Sequence, residues 1–191
     1  MQIVLTSLTA LLALAASDGS GAHAPGWQVV ADESRLTFTA IQQGAKFEGR
    51  FTDFSAEAQL DPDATHGGHI SAVIATGSVD TANTERDDYL RGSDWFDVRR
   101  WPHAQFETTS IEKQPDGSYI AHARLTLRDQ TRPVTMHFTL TPDDQDPSRW
   151  RLAGIVPLRR LNFGVGQGIW TDTTWVGDEV IVKVELVLQE Q

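Results

Sequence analysis

The nine residues Tyr119-Ile-Ala-His-Ala-Arg-Leu-Thr-Leu127 (YIAHARLTL) decide the fold class. Tyr119, Ala121, Ala123, Leu125 and Leu127 take every second position, and Ile120, His122, Arg124, Thr126 and Arg128 take the places between. A period of two sends the first set to one face of an extended strand and the second to the other, one face buried and one wet. The same period recurs on both sides. Upstream it runs through Leu36, Phe38 and Ala40, then Phe47, Gly49 and Phe51, then Phe54, Ala56, Ala58 and Leu60, then Ile70, Ala72 and Ile74. Downstream it runs through Val134, Met136, Phe138 and Leu140, then Trp150, Leu152, Gly154 and Val156, and last through Val180, Val182, Val184, Leu186 and Leu188. The pattern predicts eight or nine strands.

Turn-forming clusters separate the runs: Asp61-Pro62-Asp63, Gln114-Pro115-Asp116-Gly117, Arg128-Asp129-Gln130-Thr131 and the acidic stretch Pro142 to Pro147. Short connections of this kind join neighbours as antiparallel hairpins. Only residues 84–98 break the rhythm. Thr84 to Arg91 opens with a capping-type residue and an acidic turn and stops at Gly92, and Ser93 to Val98 is a second short candidate, so one or two short helices are expected there. An all-β chain of this kind makes a sandwich or a closed barrel. The inward faces mix bulky residues with Gly and Ala, which leaves room inside and favours a closed antiparallel β-barrel of about eight strands, wide enough for one elongated ligand.

At 191 residues, 40% apolar and 22% charged, the chain has the length and composition of one globular domain. Residues 1–24 read as a secretory signal, an apolar run from Ile3 to Ala16 followed by small residues, and residues 25–191 as a single domain. Export is the expectation. The absence of cysteine rules out disulfides, thiolate metal sites and cysteine nucleophiles. A net charge of −10, with 16 scattered Lys and Arg, argues against nucleic acid as a partner.

The candidate chemical motifs each fail a spacing test. Gly164, Gly166 and Gly168 are spaced G-x-G-x-G, not G-x-G-x-x-G, and no helix-like segment follows them. His66-Gly67-Gly68-His69 brings two imidazoles without a third ligand nearby and reads as a solvated loop. No G-x-S-x-G elbow exists, and the acidic pairs Asp87-Asp88 and Asp143-Asp144 sit where turns want solvated carboxylates. No catalytic residues and no metal site are therefore expected. Arg86 and Asp87 read as a structural ion pair, with a ligand contact as the alternative. What is left is aromatic: Phe38, Phe47, Phe51, Phe106 and Phe138 on inward faces, with Trp95, Phe96, Phe163, Trp170 and Trp175 in connecting segments. They fill a core or line a pocket, and both readings stay open.

Several stretches together resemble the YceI-like lipid/polyisoprenoid-binding proteins. They are Trp27 to Phe38, GAKFEGRFTDF from Gly44 to Phe54, Ser78-Val-Asp-Thr with Arg86-Asp87 and Leu90-Arg91, Trp95 to Val98 with Pro102 and Phe106, LTLRDQTRPVTMHFTL from 125 to 140, and LNFGVGQGIWTDTTWVGDEV from 161 to 180. Trp95 and Trp101 stand where the family pattern commonly has Phe and Tyr, and Asp129 where it often has Gly. The resemblance implies a lipocalin-like barrel whose hydrophobic interior holds an isoprenoid chain, without a catalytic constellation and with no cofactor beyond that bound lipid. On that reading Phe38, Phe47, Phe51, Phe106, Tyr119 and Leu125 are pocket-lining candidates, together with Met136, Phe138, Phe163, Trp170 and Trp175. Arg86, Arg91, Arg159 and Arg160 are candidates to hold a headgroup, polyprenyl phosphate or quinone. Transient membrane contact would accompany such a role, in a monomer or homodimer. An enzyme acting on a lipid or small molecule inside the barrel, or a filled structural module, are the competing readings.

Overall fold

A computed structural model describes residues 26–190; the stretch read as a signal lies outside the described residues. Eleven strands form one antiparallel sheet: β1 (Gly26–Val29), β2 (Arg35–Gln42), β3 (Ala45–Phe51), β4 (Phe54–Gln59), β5 (His69–Ala75), β6 (Val79–Asp80), β7 (His103–Lys113), β8 (Tyr119–Leu127), β9 (Gln130–Pro142), β10 (Arg149–Arg159) and β11 (Glu179–Glu190). The ring runs β1-β4-β5-β7-β8-β9-β10-β11 and closes because β1 pairs with both β4 and β11. Higher up, β2 takes over from β1 along β11, Ile181 to Glu185 facing Thr39 to Arg35, and β3 continues into β4. The wall is thus an eight-strand closed barrel, with no free edge along the ring.

The expected alternation sets the inside. β8 reads buried at Tyr119, Ala121, Ala123 and Leu125, and β10 at Leu152, Gly154 and Val156. One strand that plain alternation does not announce is β7: its register against β8 shifts between Thr108 and Ser110, so Ala104, Phe106 and Thr108 keep one phase and Ile111 another. A β-bulge of this kind breaks the period of two and bends the strand.

The interior has a solid end and a hollow end. At the solid end Trp27, Leu60, Ile111, Tyr119, Phe138, Leu140 and Leu188 interdigitate, Tyr119 stacks on Phe138 at 4.9 Å and Trp27 meets Trp150 edge-on at 6.1 Å. The Trp27 indole donates to Leu60 O at 2.8 Å, so the buried ring leaves no polar atom unpaired. Phe38, Val79, Leu90, Trp95, Phe96 and Phe163 build the second cluster towards the other end.

Among the described residues there is one α-helix, α1 (Thr84–Arg91), capped by the Asn83 side chain accepting from Arg86 N at 2.9 Å. The second candidate, Ser93 to Val98, is a run of tight turns. Backbone hydrogen bonds from Trp95 and Asp97 N–H to Gly92 O hold those turns, where a helix would need a regular i to i−4 ladder. Room inside does not come from the inward glycines either. A Cβ on Gly49 would overlap the Phe38 ring, and one on Gly154 would sit 2.9 Å from Val184 and 3.0 Å from the Met136 sulfur. These glycines make space for a large neighbour, while Ala40, Ala56, Ala72 and Ala104 face the hollow.

Candidate functional site

The hollow end encloses a cavity of about 390 Å³, within the size range of small-molecule sites, about 300–1,000 Å³. Alternate positions of the strands line it: Phe38 and Ala40, Phe47 and Phe51, Val180, Val182 and Val184, with Ile70, Met136, Leu152 and Leu186 as the floor. The floor residues belong to the packed cluster of the solid end, so the hollow ends where the aromatic plug begins. Polar groups gather at the mouth, which is framed by the β2–β3 turn, α1 and the loop between β10 and β11: Gln42, Asn83, Glu85, Arg86 and Tyr89.

α1 places two pairs of residues there by helical spacing. Glu85 and Tyr89, and Arg86 and Leu90, are four apart and share one face, and all four line the cavity. Arg86 Nε donates to Thr81 Oγ1 at 2.9 Å, Nη2 to Thr81 O at 3.2 Å and Nη1 to Gln42 Oε1 at 3.1 Å, and its guanidinium lies 4.1 Å from the Phe47 ring centre. A guanidinium carries five N–H donors. Two of Arg86's N–H groups are left without a protein acceptor among the described residues, and no carboxylate pairs with it there.

The expected Arg86–Asp87 ion pair is not formed. Asp87 instead accepts from Thr81 N–H at 2.9 Å and from the Thr81 hydroxyl at 2.6 Å, and the same hydroxyl accepts from Arg86. Thr81 is the relay between the two. The reason is helical geometry: consecutive residues point about 100° apart and cannot face each other.

The other arginines are placed differently from their sequence expectation. Arg160 is buried and all five of its donors are spent on backbone: Nε on Gly177 O, Nη1 on Val165 O and Gly166 O, Nη2 on Trp170 O and Val176 O, at 2.6–3.3 Å. It pins the β10–β11 loop from within and has nothing left for a headgroup. Burial pulls its affinity for the proton below that of a free guanidinium, and Asp178 partly restores it. Arg91 donates to Gly77 O and Val79 O and pairs with Asp88, outside the cavity lining. Arg159 is exposed and paired with Asp178 at 3.4 Å.

Among the aromatic candidates, Phe38, Phe47, Phe51, Phe106, Phe163 and Trp170 line the cavity, as do Leu125 and Met136. Tyr119 and Phe138 do not: their stacked rings are part of the plug. Trp175 does not either; its side chain is 57% exposed on the outer rim. Alternation alone cannot separate Phe138 from Phe106, because both face inward and differ only in depth. The sequence reading missed Gln42, Asn83, Glu85 and Tyr89 at the mouth, although the helical spacing of α1 carried the signal for two of them. It also left Trp95 unassigned, a buried lining residue packed on Trp170 at 5.5 Å, whose Nε1 has no partner among the described residues.

A closed antiparallel barrel plugged at one end and hollow at the other, with a framed mouth, is a lipocalin-like barrel with an internal cavity. Residues 27–188 match the YceI-like domain. The chain belongs to that family. It is 39% identical over 99 residues to a UPF0312 protein of Yersinia pestis, a match covering 52% of this chain and about half, 51%, of that relative's length. A UPF0312 protein of Shewanella baltica is 25% identical over 189 residues, 95% of this chain and 94% of that one. Among solved structures, Burkholderia cenocepacia BcnA is similar with a TM-score of 0.79 and 30% identity, over 84% of this chain and 99% of that one. A polyisoprenoid-binding domain from Saccharophagus degradans shares the fold, with a TM-score of 0.62 and 15% identity over 88% of this chain and 99% of that one.

Proposed function

We propose that this protein is an exported, periplasmic carrier that holds the chain of a polyisoprenoid lipid in its barrel, and that it binds and shuttles this lipid and does no chemistry on it. The observation that carries the reading is the cavity itself, lined mostly by apolar side chains, with Gln42, Asn83, Glu85 and Arg86 at its opening and its other polar lining residues, Thr76 and Arg160, engaged with backbone carbonyls. Membership of the YceI-like family and the fold shared with a polyisoprenoid-binding domain support it. Burying one methylene is worth about 0.8 kcal/mol, so a prenyl tail has a strong reason to avoid water. A tail coming from a membrane leaves one apolar medium for another, so its transfer is nearly neutral and loading is reversible. At about 390 Å³ the hollow takes a long chain only if it folds back on itself or emerges at the mouth.

The polar end of the ligand stays at the mouth, with Arg86 offering its two spare N–H donors. Glu85 beside it and Asp87 behind Thr81 offset that positive charge. This balance suits a neutral acceptor such as a quinone carbonyl better than a phosphate dianion.

Solvent extraction of protein purified from its host, followed by mass spectrometry, should yield a stoichiometric prenyl lipid. Ala56→Phe and Ala72→Phe, which fill the hollow, should each lower uptake of a prenylquinone by about tenfold or more while the barrel stays folded. A protein that comes out empty and takes up no prenyl lipid would sink the proposal. Preference for polyprenyl phosphate over quinone in competition would overturn the headgroup assignment alone.

A further inference from the structure

The described residues expose six large apolar side chains: Ile41, Val73, Tyr89, Ile155, Ile169 and Trp175. Val73 and Ile155 lie on the outer wall of β5 and β10. The other four stand at the cavity mouth: Ile41 near the end of β2 where it enters the β2–β3 turn, Tyr89 on α1, and Ile169 and Trp175 in the β10–β11 loop. Those segments are fastened into one frame: Gln43 N–H donates to Trp175 O at 2.8 Å, Gly177 N–H to Ile41 O at 2.9 Å, and the Tyr89 ring packs on Trp170, next to Ile169, at 5.9 Å. Ile169, 79% exposed, and Trp175, 57% exposed, make no contribution to the cavity lining and protrude at a cost in wetted apolar surface.

We infer that this rim docks on the surface of a zwitterionic lipid bilayer, so that the mouth opens directly onto the membrane. Charge chooses the occupant. The frame itself is near balance, with Glu85, Asp87, Asp88, Asp172 and Asp178 against Lys46, Arg86, Arg91 and Arg160, and the chain that carries it has a net charge of −10. An anionic lipid surface would meet like charge, and so would a second copy of the chain laid face to face on the same rim. A zwitterionic surface carries no such repulsion. Tryptophan and tyrosine favour the headgroup level of a bilayer, where the ring is partly buried and its polar edge stays wet, and isoleucine inserts beside them. Contact of this kind removes the aqueous gap that a prenyl tail would otherwise cross. The inference takes its purpose from the carrier reading, but the contact itself is measurable without any ligand.

The test is flotation of the protein purified from its host with phosphatidylcholine vesicles free of prenyl lipid, alongside the double variant Ile169→Ser/Trp175→Ser. The wild type should float, and the double variant should partition about tenfold or more weakly. Vesicles containing phosphatidylglycerol should bind the wild type less well. Uptake of a prenylquinone from detergent micelles, which needs no bilayer, should be the same in both proteins and shows that the variant is folded. Equal flotation of the two proteins, no flotation of the wild type, or tighter binding to the anionic vesicles would overturn the docking surface. A concentration-dependent dimer abolished by the substitutions would overturn it in favour of a second copy. Loss of micelle uptake in the wild type would instead refute the carrier reading and leave the docking result standing.

Discussion

Arg160 illustrates how a charged residue that looks like a ligand contact can be a scaffold. Its fork collects five carbonyls that the irregular β10–β11 loop would otherwise leave unpaired, each worth about 1–3 kcal/mol when stranded in the interior. Lysine has a single nitrogen and no fork, so Arg160→Lys should lower stability by roughly 2–4 kcal/mol, read as a drop in the urea midpoint. Gly166 is the counterpart: it has φ +84, and a Cβ there would overlap Arg160 Nη1. Gly166→Ala should therefore cost a similar amount, about 2–4 kcal/mol, from left-handed backbone strain plus displacement of the guanidinium. A Gly166→Ala protein as stable as the wild type would show that the loop is not pinned in this way.

At the level of elements, the strands are legible because one face of each is buried and the other wet, and that signal survives in β8 and β10, while in β11 it is lost where Leu186, Val187 and Leu188 are buried in a row. β7 escapes it because the bulge between Thr108 and Ser110 changes phase halfway along. Helix α1 is legible from its acidic first turn and its stop at Gly92, although the cap is Asn83, one residue ahead of the Thr84 that the sequence offers. Its coupling to the mouth is not, since that passes through Thr81, a residue whose partners lie five and six positions on and cannot be read from spacing alone. Asp87→Ala removes the acceptor for both the buried Thr81 N–H and its hydroxyl, and should cost about 2 kcal/mol of stability. It should also loosen Arg86, seen as a weaker response of ligand uptake to Arg86→Gln in the Asp87→Ala background than in the wild type. Full additivity of the two substitutions would show that Thr81 does not link them.

The whole molecule has no disulfide to fall back on, and its surface turns depend on ionised aspartates. Hydrogen bonds from the Ala82 N–H and from Arg50 hold Asp80 below the usual carboxylate range; the Ser118 hydroxyl and N–H do so for Asp116. Gln145 N–H lowers Asp143, the Ser148 hydroxyl lowers Asp146 and the Thr174 hydroxyl lowers Asp172. Each has a lower proton affinity folded than unfolded, so the stability it lends is complete above the unfolded value of about 3.9 and is lost as pH falls through the lower folded values. The urea midpoint should stay level from about pH 7 to 5 and fall below about pH 4. A fall already complete by about pH 6 would point to histidine instead.

The division of the barrel into a plugged and a hollow half also has a kinetic side. Amides of β8, β9 and β10 beside the Tyr119–Phe138 stack sit on packed neighbours, so they should exchange with deuterium only through global unfolding. Those around the mouth border empty space and are released by smaller openings. Protection should therefore fall from floor to mouth along single strands, and a bound chain should flatten the gradient by lending the hollow half the interior it lacks.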